Sequence, residues 1–134
     1  MTARIAFGII VAVGIMGCGD LVAVDPTLAG SYTLRSVDNR VMPALVHADA
    51  DVDVFMTAAR VDLRDDQTFQ DVRSYRVAPA SGPASTQSDT ATGTYSRDGD
   101  KLNFVASSGQ EYQMVWQPSR LTYYAEGLTF RYSK

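Results

Sequence analysis

Cysteine and histidine are nearly absent from this 134-residue chain, which has one of each, Cys18 and His47. One cysteine excludes a disulfide framework, and one histidine excludes a multi-histidine metal centre. A Ser-His-Asp triad built on His47 would need a nucleophile elbow of the form G-x-S-x-G, which the sequence lacks. We therefore interpret His47 as a surface loop residue, and we expect no catalytic residues and no enzymatic activity.

Clusters of basic residues are also lacking, and the formal net charge is −3. An acidic chain without a Lys/Arg patch has no electrostatic attraction for nucleic acid or for an anionic membrane surface. We expect no nucleic-acid partner and no cofactor, and the sequence does not identify a protein partner.

Three aspartates alternate along the segment Asp49–Asp53, which looks at first like the opening of a calcium loop. Such a loop needs Gly at its sixth position and Glu at its twelfth, where this chain has Val54 and Arg60. We interpret the segment as a solvated connection, with a low-affinity ion site as the alternative, and we predict no metal centre. The aspartates share sequence parity with the apolar residues that follow, so we expect the strand to break near Val54.

Long apolar runs are limited to one, Ile5–Met16, which follows the basic Arg4 and precedes Gly17. It is too short for a membrane span of about 20 residues and has the layout of a secretory signal. The residues Ile15-Met16-Gly17-Cys18 resemble the lipobox of bacterial lipoproteins. This resemblance implies cleavage before Cys18, lipidation of Cys18 and anchoring in the cell envelope. Gly19 after the cysteine suggests the outer membrane, facing the periplasm.

The organisation that follows is a signal-peptide helix at 1–17, a lipidated tether at 18–29 and one folded domain at 30–134. From Gly30 onward, β-branched and aromatic runs alternate with short turn segments, and no helical periodicity is sustained. The segment 78–91 is rich in Pro, Ser, Thr and Ala, and we predict one long mobile loop there. The predicted strands are Gly30–Val37, Phe55–Arg64, Thr68–Val77, Thr92–Arg97, Lys101–Ala106, Glu111–Gln117, Arg120–Ala125 and Leu128–Ser133.

Alternation along these strands defines one buried face, with polar residues at the positions between. The short turns imply hairpins and antiparallel neighbours. The pattern predicts an all-β domain, either a small up-and-down antiparallel barrel of about eight strands or a β-sandwich. The predicted inward residues are Tyr32, Leu34, Val61, Leu63, Leu102, Phe104, Tyr112, Met114, Trp116, Leu121, Tyr123, Leu128, Phe130 and Tyr132.

The start of the first strand, Gly30-Ser31-Tyr32, resembles the G-x-W opening of the lipocalin and fatty-acid-binding barrels, with Tyr32 in place of Trp. The domain is also similar to the lipocalin-like domains of short bacterial lipoproteins, through Gly93-Thr94-Tyr95 and through Phe130-x-Tyr132-x-Lys134. This resemblance favours the barrel over the sandwich. It further implies that Arg131 of the last strand covers the ring of Tyr32.

The strand Thr68–Val77 is the one without a clean apolar face, because Asp71 and Arg73 share a face with Phe69 and Tyr75. If that face points inward, Arg73 could bind a ligand carboxylate. The alternative is a bulge, or a strand that passes the barrel rim with both charges in water; we favour it because buried charges are costly. The candidate ligand-binding residues are Arg73, Tyr75, Tyr95 and Trp116.

Together these features favour a non-enzymatic, lipid-anchored envelope protein that binds a small hydrophobic or amphipathic ligand in a barrel. The alternative is a protein-interaction or envelope-assembly module with a filled core. An apolar cavity of roughly 300 Å³ or more would favour the ligand-binding protein. A core filled by Tyr32, Phe104, Trp116 and Phe130 would favour the interaction module.

Overall fold

A computed structural model describes residues 28–134. The predicted signal-peptide helix and Cys18 lie outside the described residues. Between residues 28 and 134, no helix is long and apolar enough to cross a membrane. The strands are β1 Gly30–Val37, β2 Ala44–Ala48, β3 Val52–Leu63, β4 Thr68–Pro79, β5 Ser85–Asp98, β6 Lys101–Ala106, β7 Glu111–Gln117, β8 Arg120–Ala125 and β9 Leu128–Ser133.

Eight of these strands form a closed antiparallel barrel. Strands β3 to β9 follow one another in order, β9 pairs with β1, and β1 pairs with β3. The closing ladders join Thr33 to Ser133 on one side of β1 and Tyr32 to Val61 on the other. Strand β2 stands outside this ring and extends the sheet along the beginning of β3. The predicted up-and-down barrel is therefore confirmed, and the sandwich is excluded.

Tight turns produce this order because each strand from β3 to β8 is followed by a turn with a residue in a left-handed backbone conformation. The turn between β8 and β9 has Glu126 at φ 52° and Gly127 at φ 77°, which is the hairpin conformation that matches the twist of the strands. The turn between β5 and β6 similarly has Gly99 at φ 63°. Hairpins of this kind force antiparallel neighbours, so the sequence order becomes the spatial order.

The barrel interior contains the residues that alternation predicted to face inward, of which Tyr112, Tyr123 and Leu128 are half-buried and the rest buried. One end, which we call the filled end, has the turns after β3, β5 and β7. There Tyr32 donates its hydroxyl to the carbonyl of Leu28 at 2.6 Å, and Trp116 Nε1 donates to the Tyr32 oxygen at 3.1 Å. These contacts close the filled end around an aromatic core.

The predicted contact between Arg131 and Tyr32 is wrong, although their strands are neighbours as expected. Arg131 Nη1 donates instead to Asn39 Oδ1 at 2.7 Å on the exposed side of the sheet. The cation over the Tyr32 ring is Lys134, whose Nζ lies 5.3 Å from the ring centroid. Alternation explains the difference, because Arg131 lies between the inward-facing Phe130 and Tyr132 and so points outward.

The expected break near Val54 is also wrong, because β3 is continuous from Val52. A register shift between Met56 and Ala58 changes the side of the sheet on which odd-numbered residues lie. Asp53 is consequently exposed while Val61 is buried on the same strand. A β-bulge thus keeps the carboxylates in water without interrupting the ladder.

Residues 78–91 do not form the predicted loop. Strand β4 continues to Pro79 and β5 already begins at Ser85, with Ser85 opposite Val77 and Asp89 opposite Arg73. Strand β2 had not been predicted either, and the exposed His47 lies in it rather than in a loop. Residues 85–90 contain no apolar side chain and are exposed, so alternation could not predict a strand there.

Candidate functional site

A cavity of about 460 Å³ occupies the opposite end of the barrel, which we call the cavity end and which has the turns after β4, β6 and β8. One wall consists of Asp71, Arg73 and Tyr75, which alternate along the inner face of β4. The neighbouring wall is Asp89–Thr92 of β5. The turn after β6, from Ser107, completes the lining together with tyrosines of β7 and β8. The cavity is therefore bounded by polar side chains on almost every side.

The inner end of the cavity is organised by an ion pair between two inward-facing residues of β4. Arg73 Nη2 lies 2.7 Å from Asp71 Oδ2, and Arg73 Nε lies 3.2 Å from both carboxylate oxygens. The Asp71 side chain is 2% exposed and the Arg73 side chain 22%. Burial lowers the pKa of Arg73, but the hydrogen bonds and negative charge of Asp71 outweigh this effect and raise the pKa above its ordinary value. Arg73 is therefore cationic at every physiological pH.

Tyrosines hold this ion pair in place. Tyr112 donates its hydroxyl to Asp71 Oδ2 at 3.1 Å, so the carboxylate accepts from two side chains. The Arg73 guanidinium lies 5.1 Å from the ring centroid of Tyr123 and 5.8 Å from that of Tyr112, both within the range of cation–π attraction. The Tyr112 ring itself stacks on Phe104, with centroids 4.9 Å apart and planes 3° from parallel. The guanidinium is thus oriented by a carboxylate and two rings.

The hydroxyl of Tyr132 is buried near this group and has no hydrogen-bond partner among the described residues. Burial raises the pKa of Tyr132, and the negative charge of Asp71 raises it further while Arg73 opposes the rise. Burial likewise raises the pKa of Tyr75, against the positive charge of Arg73. The interior beside the cavity therefore contains an ion pair, neutral tyrosine hydroxyls and one hydroxyl with unused hydrogen-bonding capacity.

The structure brings together only two of the four candidate ligand-binding residues. Arg73 and Tyr75 line the cavity, which shows that the favoured placement of Arg73 and Asp71 in water at the rim is wrong. Tyr95 and Trp116 lie at the filled end instead. The Tyr95 hydroxyl donates to the carbonyl of Arg64 at 2.7 Å, and the Trp116 backbone N–H donates to the carbonyl of Asp100 at 2.6 Å.

The distance of each residue from the nearest turn distinguishes residues of the cavity end from residues of the filled end. Tyr112 is the second residue of β7, close to the turn before it, whereas Trp116 is the last but one, close to the next turn, so the two residues belong to opposite ends of the barrel. Counting positions from the turns would have replaced Trp116 by Tyr112 in the candidate site. Asp89 was missed for another reason, because β5 was predicted to begin only at Thr92.

The isolated histidine and the aspartate run form no second site. His47 Nε2 lies 3.0 Å from Asp49 Oδ2, with both side chains about half exposed. Asp49 also accepts the backbone N–H groups of Asp51 and Val52 at 2.8 Å, and the hydrogen bond with His47 is the main cause of its lowered pKa. These contacts make a turn before β3. Across residues 28–134, no group of three His, Cys, Asp or Glu side chains could hold a metal ion.

Comparison with protein-family models, with curated proteins and with solved structures finds no match to this chain. The geometry of the barrel therefore carries the functional argument.

Proposed function

We propose that this barrel binds a small amphipathic molecule in its cavity without transforming it, and that the chain is anchored in the cell envelope, at the outer membrane facing the periplasm, by lipid on Cys18. The observation that carries the binding function is the cavity of about 460 Å³ with the oriented Arg73 guanidinium at its inner end. Pockets for small molecules typically have volumes of 300 to 1,000 Å³ and a few fixed polar groups. The cavity has this volume and an oriented guanidinium, although its lining is more polar than that of most such pockets.

The character of the lining narrows the ligand to one with a substantial polar part. A wholly apolar ligand would bury Arg73, Asp89 and Tyr75 without replacing their hydrogen bonds to water, which costs free energy at each group. A polar ligand atom can instead accept from Nη1 of Arg73, which Asp71 does not engage. The charge of the lining also restricts the charge of the ligand. The Asp71 carboxylate neutralises the Arg73 guanidinium, and Asp89 adds a negative charge. The lining therefore does not favour a highly charged anion.

The position of Leu28, the first residue that the structure describes, agrees with an anchor on Cys18. Leu28 is buried at the filled end, where its carbonyl accepts the Tyr32 hydroxyl. A lipid attached ahead of Leu28 would connect to the filled end. The cavity, at the other end of the barrel, would then be turned away from the membrane and towards dissolved ligands.

The test is to purify the full chain under non-denaturing conditions, denature it, and identify the released small molecules by mass spectrometry. Ala91→Phe is the diagnostic variant, because Ala91 lines the cavity opposite Asp71 and a phenyl ring there would fill much of it. Ala58→Phe is the matched control, since Ala58 is exposed on β3. We expect a molecule that accompanies the unmodified chain and Ala58→Phe, and is depleted at least tenfold from Ala91→Phe.

Two results would contradict the proposal. The unmodified chain could release nothing above the level of a purification blank, or Ala91→Phe could retain the molecule at an unchanged yield. The aromatic core at the filled end, which includes Tyr32, Phe104 and Trp116, favours a second candidate, a protein-interaction module. Release of no small molecule together with stoichiometric co-purification of an envelope protein would support that candidate instead.

A further inference from the structure

Strand β5 is much longer than its neighbour β6, and this leaves part of β5 paired on one side only. Strand β6 pairs with residues Gly93–Asp98 of β5. The preceding residues, Ser85–Thr92, pair with β4 and have no strand on the other side within residues 28–134. We call Ser85–Thr92 the open edge.

The direction of the backbone groups along the open edge follows from two hydrogen bonds. The Tyr95 N–H donates to the carbonyl of Gln67, towards β4, whereas the Thr92 carbonyl accepts from the Ser107 N–H, on the β6 side. In an antiparallel sheet, successive residues alternate between the two neighbouring strands. The N–H and C=O groups of Thr86, Ser88 and Thr90 therefore point away from β4. They present three donors and three acceptors in the geometry of a β-ladder.

The open edge has few of the features that normally prevent sheet edges from pairing. Proteins protect such edges with lysine, proline, bulges or very short strands. The other unpaired edge of this sheet, β2, has five residues, a register shift between Leu45 and His47, and Pro43 before it. The open edge has eight residues, no proline, no basic residue and an unbroken register with β4. Its one charged residue is Asp89.

We propose that the open edge pairs with the open edge of a second copy of this chain, antiparallel and about a two-fold axis at Ser88. In this register Ser88 is opposite Ser88 of the second copy, and Thr86 is opposite Thr90. All three outward residues of each chain then form ladder hydrogen bonds. Gln87 is opposite Asp89, so the two carboxylates are not directly opposed, which would be unfavourable.

Two other two-fold symmetric registers are less favourable than the one at Ser88. A two-fold axis at Asp89 places that carboxylate opposite its own copy. An axis at Thr90 brings Ser88 opposite Thr92, whose carbonyl already accepts from Ser107. The self-complementary pattern about Ser88 is the reason for choosing a second copy over a foreign strand. The inference does not depend on a ligand in the cavity.

Disulfide cross-linking of the full chain in intact cells tests the register. Ser88→Cys should give a covalent dimer on a non-reducing gel, because directly opposite residues lie within the Cα separation of a disulfide. Thr86→Cys alone should not, since its copy is displaced by about 13 Å along the strands. Co-expressed Thr86→Cys and Thr90→Cys chains should cross-link with each other. The parent chain, with Cys18, measures the background.

Substitution at Ser88 then tests the backbone bonds in the co-expressed Thr86→Cys and Thr90→Cys pair. Ser88→Pro removes an N–H that β4 does not use, and Ser88→Ala keeps it. Both variants lose the Ser88 hydroxyl, which donates to the Arg73 carbonyl at 3.3 Å, so they are matched. We expect at least a fivefold loss of cross-linked product with proline and no loss with alanine.

Each of the following outcomes overturns the proposal: no dimer from Ser88→Cys above the parent background, equal cross-linking of Thr86→Cys alone, or equal loss with proline and alanine. Cross-linking of Ser88→Cys to a different protein, without the homodimer, would assign the open edge to a foreign strand and would also overturn it. The cysteine cross-linking test of the register uses no proline variant, so its result stands even if Ser88→Pro fails to fold.

Discussion

Replacing Asp71 by leucine tests the energetic role of the ion pair in the cavity. The substitution removes the carboxylate and leaves the Arg73 guanidinium, 22% exposed, without its counter-ion. Tyr112 simultaneously loses the acceptor of its hydroxyl. Removing one partner of a buried pair typically costs 3 to 5 kcal/mol. Because Arg73 reaches the cavity and keeps some hydration, we expect the free energy of unfolding to fall by about 3 kcal/mol.

The double variant Asp71→Leu/Arg73→Met separates the energy of the ion pair from the effect of each substitution alone. Removing both charges leaves no unpaired ion, and apolar replacements of a buried pair are often neutral or stabilising. We expect the double variant to unfold within about 1 kcal/mol of the parent chain, which gives a coupling energy of about 2 kcal/mol or more. The pair Arg60 and Asp62, at 3.0 Å with the Arg60 side chain 57% exposed, supplies a control. Arg60→Met should change stability by at most about 1 kcal/mol.

Urea denaturation followed by tryptophan fluorescence measures these differences, because the one tryptophan, Trp116, is buried. The reasoning would be refuted if Asp71→Leu cost no more than Arg60→Met. Additivity of Asp71→Leu and Arg73→Met would also refute it, since independent sites add within about half a kcal/mol.

Four further predictions concern single residues. Tyr132→Phe should cost nothing or stabilise, because the removed hydroxyl has no partner in the described residues, whereas Tyr112→Phe should cost about 1 to 2 kcal/mol in the same urea titration. Burial raises the pKa of both tyrosines, so their contribution to stability should be constant below the ordinary pKa of about 10 and fall above it. Tyr132→Phe should reduce that slope by about 1.4 kcal/mol per pH unit in titrations up to pH 12. Gly93→Ala should cost about 2 kcal/mol or more in thermal unfolding, because a Cβ there would lie 2.0 Å from the carbonyl oxygen of Val105; an unchanged midpoint would contradict the close approach of β5 and β6. Cys18→Ser should leave the chain unacylated and released from membranes, and continued labelling by a fatty-acid probe would disprove lipidation at this residue.

Much of the barrel could be predicted from the sequence because its determinants are local. Five strands have the predicted bounds, and four of them, β6 to β9, are joined in sequence by tight hairpin turns. The side of each of these strands that faces inward followed from alternation alone. Prediction failed where tertiary pairing replaces local preference. Residues 85–90 are polar and contain no core side chain, yet they form a strand because β4 supplies a ladder of hydrogen bonds.

The candidate site shows the same division. The spacing of Asp71 and Arg73 placed both residues on one face of their strand. It did not determine whether that face is solvated or buried. The barrel decided it by placing Tyr112 and Tyr123 around the guanidinium. A buried charge is tolerated only with partners from distant strands, and no local pattern reports them.

The amino-acid sequence by itself thus determined an all-β chain of hairpins, its inward-facing residues and a single inward-capable ion pair. Only the tertiary structure decided that the sheet closes through β1 and β9, that one end is filled and the other contains a cavity, and that Lys134 rather than Arg131 covers Tyr32. The physical reason is the separation along the chain over which each effect acts. Turn preference and alternation act over a few residues, whereas closure, cavity volume and ring contacts depend on side chains that are far apart in the chain.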